Sequence, residues 1–187
     1  MDRRIEKSKT AIIDALTQLI SEKDFDKITI NDIADRANVN RGTIYLHYVD
    51  KYDLLDHCIE THVNQLFECC LRKGDTDNPS AKAAIFRIFE YLKQHAFLYS
   101  NMLTNKWSTA FRNHLHTVIE KMIKEQIDKK GIDPNMNEDI LIQYVASATV
   151  GVMEWWITNS MPYSSTEMVE QLSFLLERVQ LVHKHKD

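Results

Sequence analysis

An all-helical fold is predicted, and three observations predict it. Gly (4) and Pro (3) are scarce in a chain of 187 residues, so turns are few and the segments between them long. Apolar residues recur at the helical period, as at Ile12, Leu16, Leu19 and Ile20. The one β-like triplet, Ile28-Thr29-Ile30, is too short to build a sheet.

The elements follow in order. Residues 8–22 carry the first apolar stripe. A short second helix opens at Thr29, whose hydroxyl can cap free amides with Asp32 three residues on. Ile30, Ile33, Ala34 and Ala37 then share a face. Asn38-Val39-Asn40 breaks the period, and Asn38 suits the left-handed position that ends a helix. Asn40 opens a third helix over residues 41–48. Asp50 opens a fourth, to about residue 71, which Leu55, Ile59, Val63 and Leu66 keep in register through Phe67.

Residues 72–80 read as a polar loop. Helices are then expected over 81–94 and 97–104. A long one starts at Ser108, with Phe111, Leu115, Val118, Met122 and Ile123 on its stripe and Gly131 as its stop. Another covers 138–159, and Pro162 stops the chain. Ser164 and Glu167 match a capping box opening a last helix to about residue 182. That makes about nine helices: a three-helix head in residues 1–52, and a helical domain over 53–187 that the fourth helix joins to it.

Composition narrows the function. Apolar residues at 44% and charged ones at 27% describe an ordinary globular chain. A net charge of −4 excludes a protein that coats nucleic acid non-specifically. Any DNA-binding charge must be local, and residues 1–9 hold Arg3, Arg4, Lys7 and Lys9 against two acids. Cys58, Cys69 and Cys70 lack zinc spacing and read as reduced thiols of a cytoplasmic protein. No export or membrane-spanning segment is expected.

Two short helices joined by a turn at residues 38–40, with a longer helix on each side, are the parts of a helix-turn-helix. Val39, Ile44 and part of Tyr48 face inward. The outer face offers Asn40, Arg41, Thr43, Tyr45 and His47 to base edges and phosphates. Gly42 lets the helix start lie close to the sugar–phosphate wall.

The stretch ITINDIADRANVNRGTIYLHYVDKYDLL resembles the signature of the TetR (tetracycline-repressor) family of transcription regulators. It carries Thr29, Ile33-Ala34, the run Asn40-Arg41-Gly42-Thr43-Ile44-Tyr45-Leu46-His47-Tyr48, and Lys51. Asn38 stands where Gly is usual, Ile44 replaces a common aromatic, and Leu46 a residue that is often polar or basic. The resemblance implies that Thr29, Thr43, Tyr48 and Lys51 hold phosphates. Asn40, Arg41, Tyr45 and His47 would approach bases or the groove wall, with Arg41 the first choice for a bidentate guanine contact. Other readings stand beside these: Tyr48 as a core aromatic, Thr29 as a cap only, His47 as a packing residue.

The resemblance also implies a C-terminal domain that dimerises and holds an effector, so that the whole is a ligand-gated repressor on a palindromic operator. Leu141, Tyr144, Val145, Ala148, Val152 and Trp155 form one stripe, with Met153 and Trp156 off it, so this helix must be buried on more than one side. The seam is expected at Leu141, Val145, Ala148, Gly151 and Val152 with Leu172, Leu175, Leu176 and Val179. A pocket for a small apolar or aromatic effector is expected among Phe67, Phe86, Phe89, Phe97, Met102, Trp107, Phe111, Met122, Tyr144 and Trp155. The alternatives are plain core packing, or a carrier of an apolar molecule.

No cofactor is implied. Cys58 and His62, four apart on one helix face, are two metal-compatible ligands and no more. His114 and His116 point to different faces, and no Ser/His/Asp arrangement with a strand–turn–helix context is present. No catalytic residue is assigned.

Overall fold

The computed structural model describes residues 3–71, 81–104 and 108–180. The expected loop at 72–80, Trp107, and the tail histidines His183 and His185 lie outside the described residues. The described residues form helices α1 (Arg3–Glu22), α2 (Ile30–Ala37), α3 (Arg41–Tyr45), α4 (Lys51–Leu71), α5 (Ala81–Gln94), α6 (Ala96–Thr104), α7 (Ser108–Lys130), α8 (Glu138–Thr158) and α9 (Ser165–Gln180). A 3-10 turn, Phe25–Lys27, joins α1 to α2. Among the described residues there is no strand.

Two compact units divide the chain, Met1–His62 and Val63–Asp187. The boundary falls inside α4, ten residues beyond the expected one at 52/53. The cause is packing. Leu54, Leu55, Cys58 and Ile59 are buried, and Cys58 and His62 meet Thr17 of α1, so the first turns of α4 complete the head.

Within the head, Ile12, Leu16, Phe25, Ile28, Ile33 and Ile44 are shut off from solvent. α1 starts five residues before Ser8. That hydroxyl does not cap; it donates back to the Arg4 carbonyl at 3.0 Å. Thr29 and Asp32 form the full capping box: the Thr29 hydroxyl accepts from the Asp32 amide, and the Asp32 carboxylate accepts from the Thr29 amide. Asn38 sits at φ 51°, the left-handed stop its side chain tolerates. α3 stops at Tyr45, three residues short of expectation. Its ladder tightens at His47, and Asp50 then caps α4 by accepting from the Tyr52 and Asp53 amides.

In the second unit α5 packs on α9, α7 on α8, and α6 against both α7 and α8. Trp156 and Phe89 meet edge to face at 5.0 Å, and the Trp156 indole donates to the Tyr163 carbonyl. Buried Tyr99 and Phe111 lie 5.7 Å apart. Gly131 ends α7 at φ 73°, and Ser164–Glu167 form the expected capping box of α9. Two features of the α8–α9 turn are not readable from Pro162: Ser160 and Met161 both take positive φ, at 61° and 55°.

Candidate nucleic-acid interface

The reading face is built by three local devices. The αL turn at Asn38 redirects the chain. Ile44, wholly buried, anchors α3 to the head. Asn40 opens α3 without spending its side chain on the cap. The exposed face of α3 then presents Asn40, Arg41 and Tyr45, with Thr43 and His47 half-exposed. No atom lies near the position where a Cβ would stand on Gly42, so its surroundings are open to an approaching backbone.

The cations of the head differ in what occupies them. Arg36 is paired in a fork with Glu22, at 2.8 and 2.7 Å, which also holds the Glu22 carboxyl below its ordinary range. Arg41 has no such partner: its guanidinium lies 5.4 Å over the Tyr45 ring and donates to the Tyr45 hydroxyl at 3.4 Å. Lys51, expected to hold a phosphate, makes contacts within the head. Its ammonium donates to the Phe25 and Ile28 carbonyls, both at 2.9 Å, with the Asp26 carbonyl at 3.5 Å, and sits 4.4 Å over the Phe25 ring. An ammonium has three N–H groups, so these contacts occupy what a phosphate would need.

Tyr48, expected either on a phosphate or in the core, faces inward here. It is buried, packs edge to face with His57 at 5.4 Å, and desolvation pushes its hydroxyl pKa up to about 12. The core reading, not the phosphate one, matches this placement. Thr29 is exposed at the start of α2, with its hydroxyl engaged in the cap. Two large apolar side chains, Leu46 and Val49, are 80% and 83% exposed beside it.

In the second unit the expected pocket residues differ in exposure. Phe67, Phe89, Met102 and Phe111 are buried, Met122 is half-buried, and Phe86, Phe97, Tyr144 and Trp155 are exposed. Tyr144 and Trp155 belong to another feature. α8 buries Ile142, Ala146, Val150, Met153, Trp156 and Ile157 on one face. The opposite face exposes Ile140, Tyr144, Ala148, Gly151 and Trp155. These two sets sit about half a turn apart at 100° per residue. Leu141, Val145 and Val152 lie half-buried between them.

An open groove of about 700 Å³ runs along this exposed face, lined by Asp139, Ile140, Gln143, Tyr144, Ser147 and Ala148. On α9, Leu175 is exposed and Leu176 half-buried, but Leu172 lies in the core of its own unit. The Val179 side chain is outside the described residues. Phe174, not expected, is exposed under the Arg178 guanidinium. By length and composition α8 is the one helix among the described residues that is apolar enough to cross a membrane, with a mean hydropathy of 1.3. Two apolar faces on one helix account for that value.

One constellation was invisible in the sequence. His116 of α7 contacts the Ser147 hydroxyl of α8 at 3.0 Å through Nε2 and Glu120 at 2.9 Å through Nδ1, and Gln143 donates to Glu120. The order hydroxyl, imidazole, carboxylate is that of an activated nucleophile. Ser147 stands in mid-helix, however, where backbone amides are already paired along the ladder and cannot hold an oxyanion. The cluster is a polar seam between α7 and α8, joined there by the Arg112–Glu154 ion pair.

Comparison with known proteins agrees with this geometry. Residues 12–58 match the family model described as bacterial regulatory proteins, tetR family. Residues 80–178, more than half of the chain, match that of a transcriptional regulator C-terminal region of the same family. The HTH-type transcriptional regulator YxbF of Bacillus subtilis is 23% identical over 89% of this chain and 43% of its own length. IcaR of Staphylococcus epidermidis, the negative regulator of a biofilm operon, is 31% identical over 45% of each chain. The chain thus spans less than half the length of these curated relatives. Among solved structures, the regulator FadR of Bacillus subtilis, in complex with stearoyl-CoA, superposes with a TM-score of 0.62 at 21% identity, over 92% of this chain and 97% of that one.

Proposed function

Because the chain belongs to the tetR family of bacterial regulatory proteins, we propose that it is a cytoplasmic, sequence-specific DNA-binding repressor that works as a homodimer and is released by a small apolar effector. One observation carries the DNA-binding part. A five-residue helix, fixed by an αL turn and a wholly buried Ile44, presents Asn40, Arg41, Thr43 and Tyr45 together outward. A head that only carried or buried something would have no use for an arginine without a carboxylate partner at a helix start, where the dipole opposes it.

The exposed apolar face of α8, and exposed Phe174 and Leu175 on α9, support self-association, since exposed apolar surface marks partner sites. A symmetric pair of heads would require a palindromic site with half-sites about 34–36 Å apart or a multiple of that. Repression is the sense in which IcaR is named, and the stearoyl-CoA bound to FadR supports an apolar effector class.

Selection of binding sites from random duplex DNA by the full chain tests this reading. A palindromic consensus is the expected outcome, followed by loss of binding when acyl-CoA or another apolar ligand is added. Recovery of unselected DNA only would remove the proposal.

A further inference from the structure

Three polar contacts tie α7 to α8 in antiparallel order: Arg112 to Glu154, His116 to Ser147, and Glu120 to Gln143. They run beside the exposed apolar stripe of α8. Gln143 and Ser147 belong to both features, since they also line the groove with Ile140, Tyr144 and Ala148. Of the side chains in these contacts, only an imidazole is of a kind that changes charge between about pH 5 and 8.

Hydrogen counting fixes the neutral state of His116. A carboxylate only accepts, so the 2.9 Å contact with Glu120 puts the ring proton on Nδ1. Nε2 is then an acceptor, and the 3.0 Å contact with Ser147 is a hydroxyl donating to it. A second proton reverses that bond: Nε2–H donates, the Ser147 oxygen accepts, and the Ser147 hydrogen is released from the seam to another acceptor.

The charges around His116 set the sign. On α7, Arg112 is spent on Glu154, Glu120 stands one turn after His116, and Lys124 is exposed one turn further on. α8 adds Asp139 in the groove wall. α6, which also packs on α7, carries Tyr99 as its one titratable side chain, buried against Phe111. With His116 neutral, Glu120 and Asp139 outnumber Lys124, so this side of the groove is acidic. A two-fold pair sets the same patch of each copy into one interface, so acid is added to acid. A proton on His116 cancels one negative charge on each copy.

Resting on the reading of the α8 face as the seam between two copies, we propose that His116 makes self-association proton-linked: a proton taken up there tightens the dimer. The charged form is the favoured one in the dimer, so its contribution is present at low pH and is lost as pH rises through the imidazole titration.

The test is the dimer dissociation constant of the full chain, measured by sedimentation equilibrium at about pH 5.5 and about pH 8, on either side of an ordinary imidazole titration. Wild type is expected to dissociate about three- to thirty-fold more readily at the higher pH, the weight of one exposed ion pair on each copy. Added salt should shrink that difference. His116→Gln keeps an amide donor for Glu120 and an oxygen acceptor for Ser147 but does not titrate; it should hold the weaker, high-pH value throughout. His116→Lys, charged at both pH values, should hold the tighter one. Melting curves at both pH values report whether each variant keeps its fold, and either variant alone decides the comparison.

A wild-type constant that is equal at the two pH values, or weaker at the lower one, overturns the proposal. So does a His116→Gln variant that keeps the full wild-type dependence, because another group then carries it. Failure of the seam reading is separable: in that case the double variant Ala148→Arg, Gly151→Arg dimerises as wild type does.

Discussion

Single side chains in the head divide into those that face outward from α3 and those that brace. Lys51 braces. Its ammonium joins the start of α4 to the carbonyls of the turn that leads into α2. Replacing it leaves those carbonyls without their donor, a loss of about 1–3 kcal/mol. Lys51→Met should therefore lower the melting temperature of the head. It should leave the slope of DNA affinity against salt unchanged. A lysine on a phosphate would instead reduce that slope by about one unit, so a titration across salt concentrations decides between the two roles. Cys58 shows the same division: it is wholly buried, and desolvation pushes its thiol up to about 11, so it is a packing group and not a reactive one.

At the scale of elements, caps and turns decide where helices begin and end. The Asp32 carboxyl is drawn down to about 2, chiefly by the Thr29 amide, then by the Thr29 hydroxyl and Lys23. A carboxylate held below its unfolded value stabilises the fold above that value, and the contribution is lost as pH falls through the folded one. The α2 cap should thus be at full strength above about pH 4 and fade between there and about pH 2. Asp32→Asn should flatten the stability profile of the head across this window, read by circular dichroism melts at stepped pH. Thr29→Ala should cost about 1 kcal/mol at neutral pH. The α8–α9 turn carries the opposite opportunity. Ser160 holds φ 61° without being glycine, a conformation that costs an L-residue about 1–2 kcal/mol. Ser160→Gly should raise the melting temperature of the C-terminal unit by about 2–4 °C. An unchanged or lower value would show that the Ser160 side chain compensates.

For the whole molecule, assembly is the open question that the α8 surface poses. Ile140, Tyr144, Ala148, Gly151 and Trp155 form an outward stripe, and nothing lies within 4 Å of a Cβ built on Gly151. A second copy seated there would place its own helix against these small residues. The double variant Ala148→Arg, Gly151→Arg should therefore be monomeric by light scattering at micromolar concentration, keep its helical signal, and lose most of its operator affinity. A variant that stays dimeric would put the seam elsewhere.

Much of this was decided locally, and the sequence by itself determined it. The nine α-helices among the described residues, the capping boxes at Thr29 and Ser164, the αL stop at Asn38 and the outward set on α3 depend on neighbours within four residues, which a linear pattern displays. Tertiary structure decided the rest. The stripe Leu141, Tyr144, Val145, Ala148, Val152, Trp155 is as apolar as the face α8 buries, so hydrophobic period could not say which face meets its own core. Packing chose Ile142, Ala146, Val150, Met153 and Trp156, which left Tyr144 and Trp155 exposed. Leu172 went inward for the same reason, through α5. Lys51 and its carbonyls, His116 and Ser147, and Thr17 and His62 stand 23 to 45 residues apart. A contact over such separations exists only once helices have packed, because nothing in the local chain orients one partner toward the other.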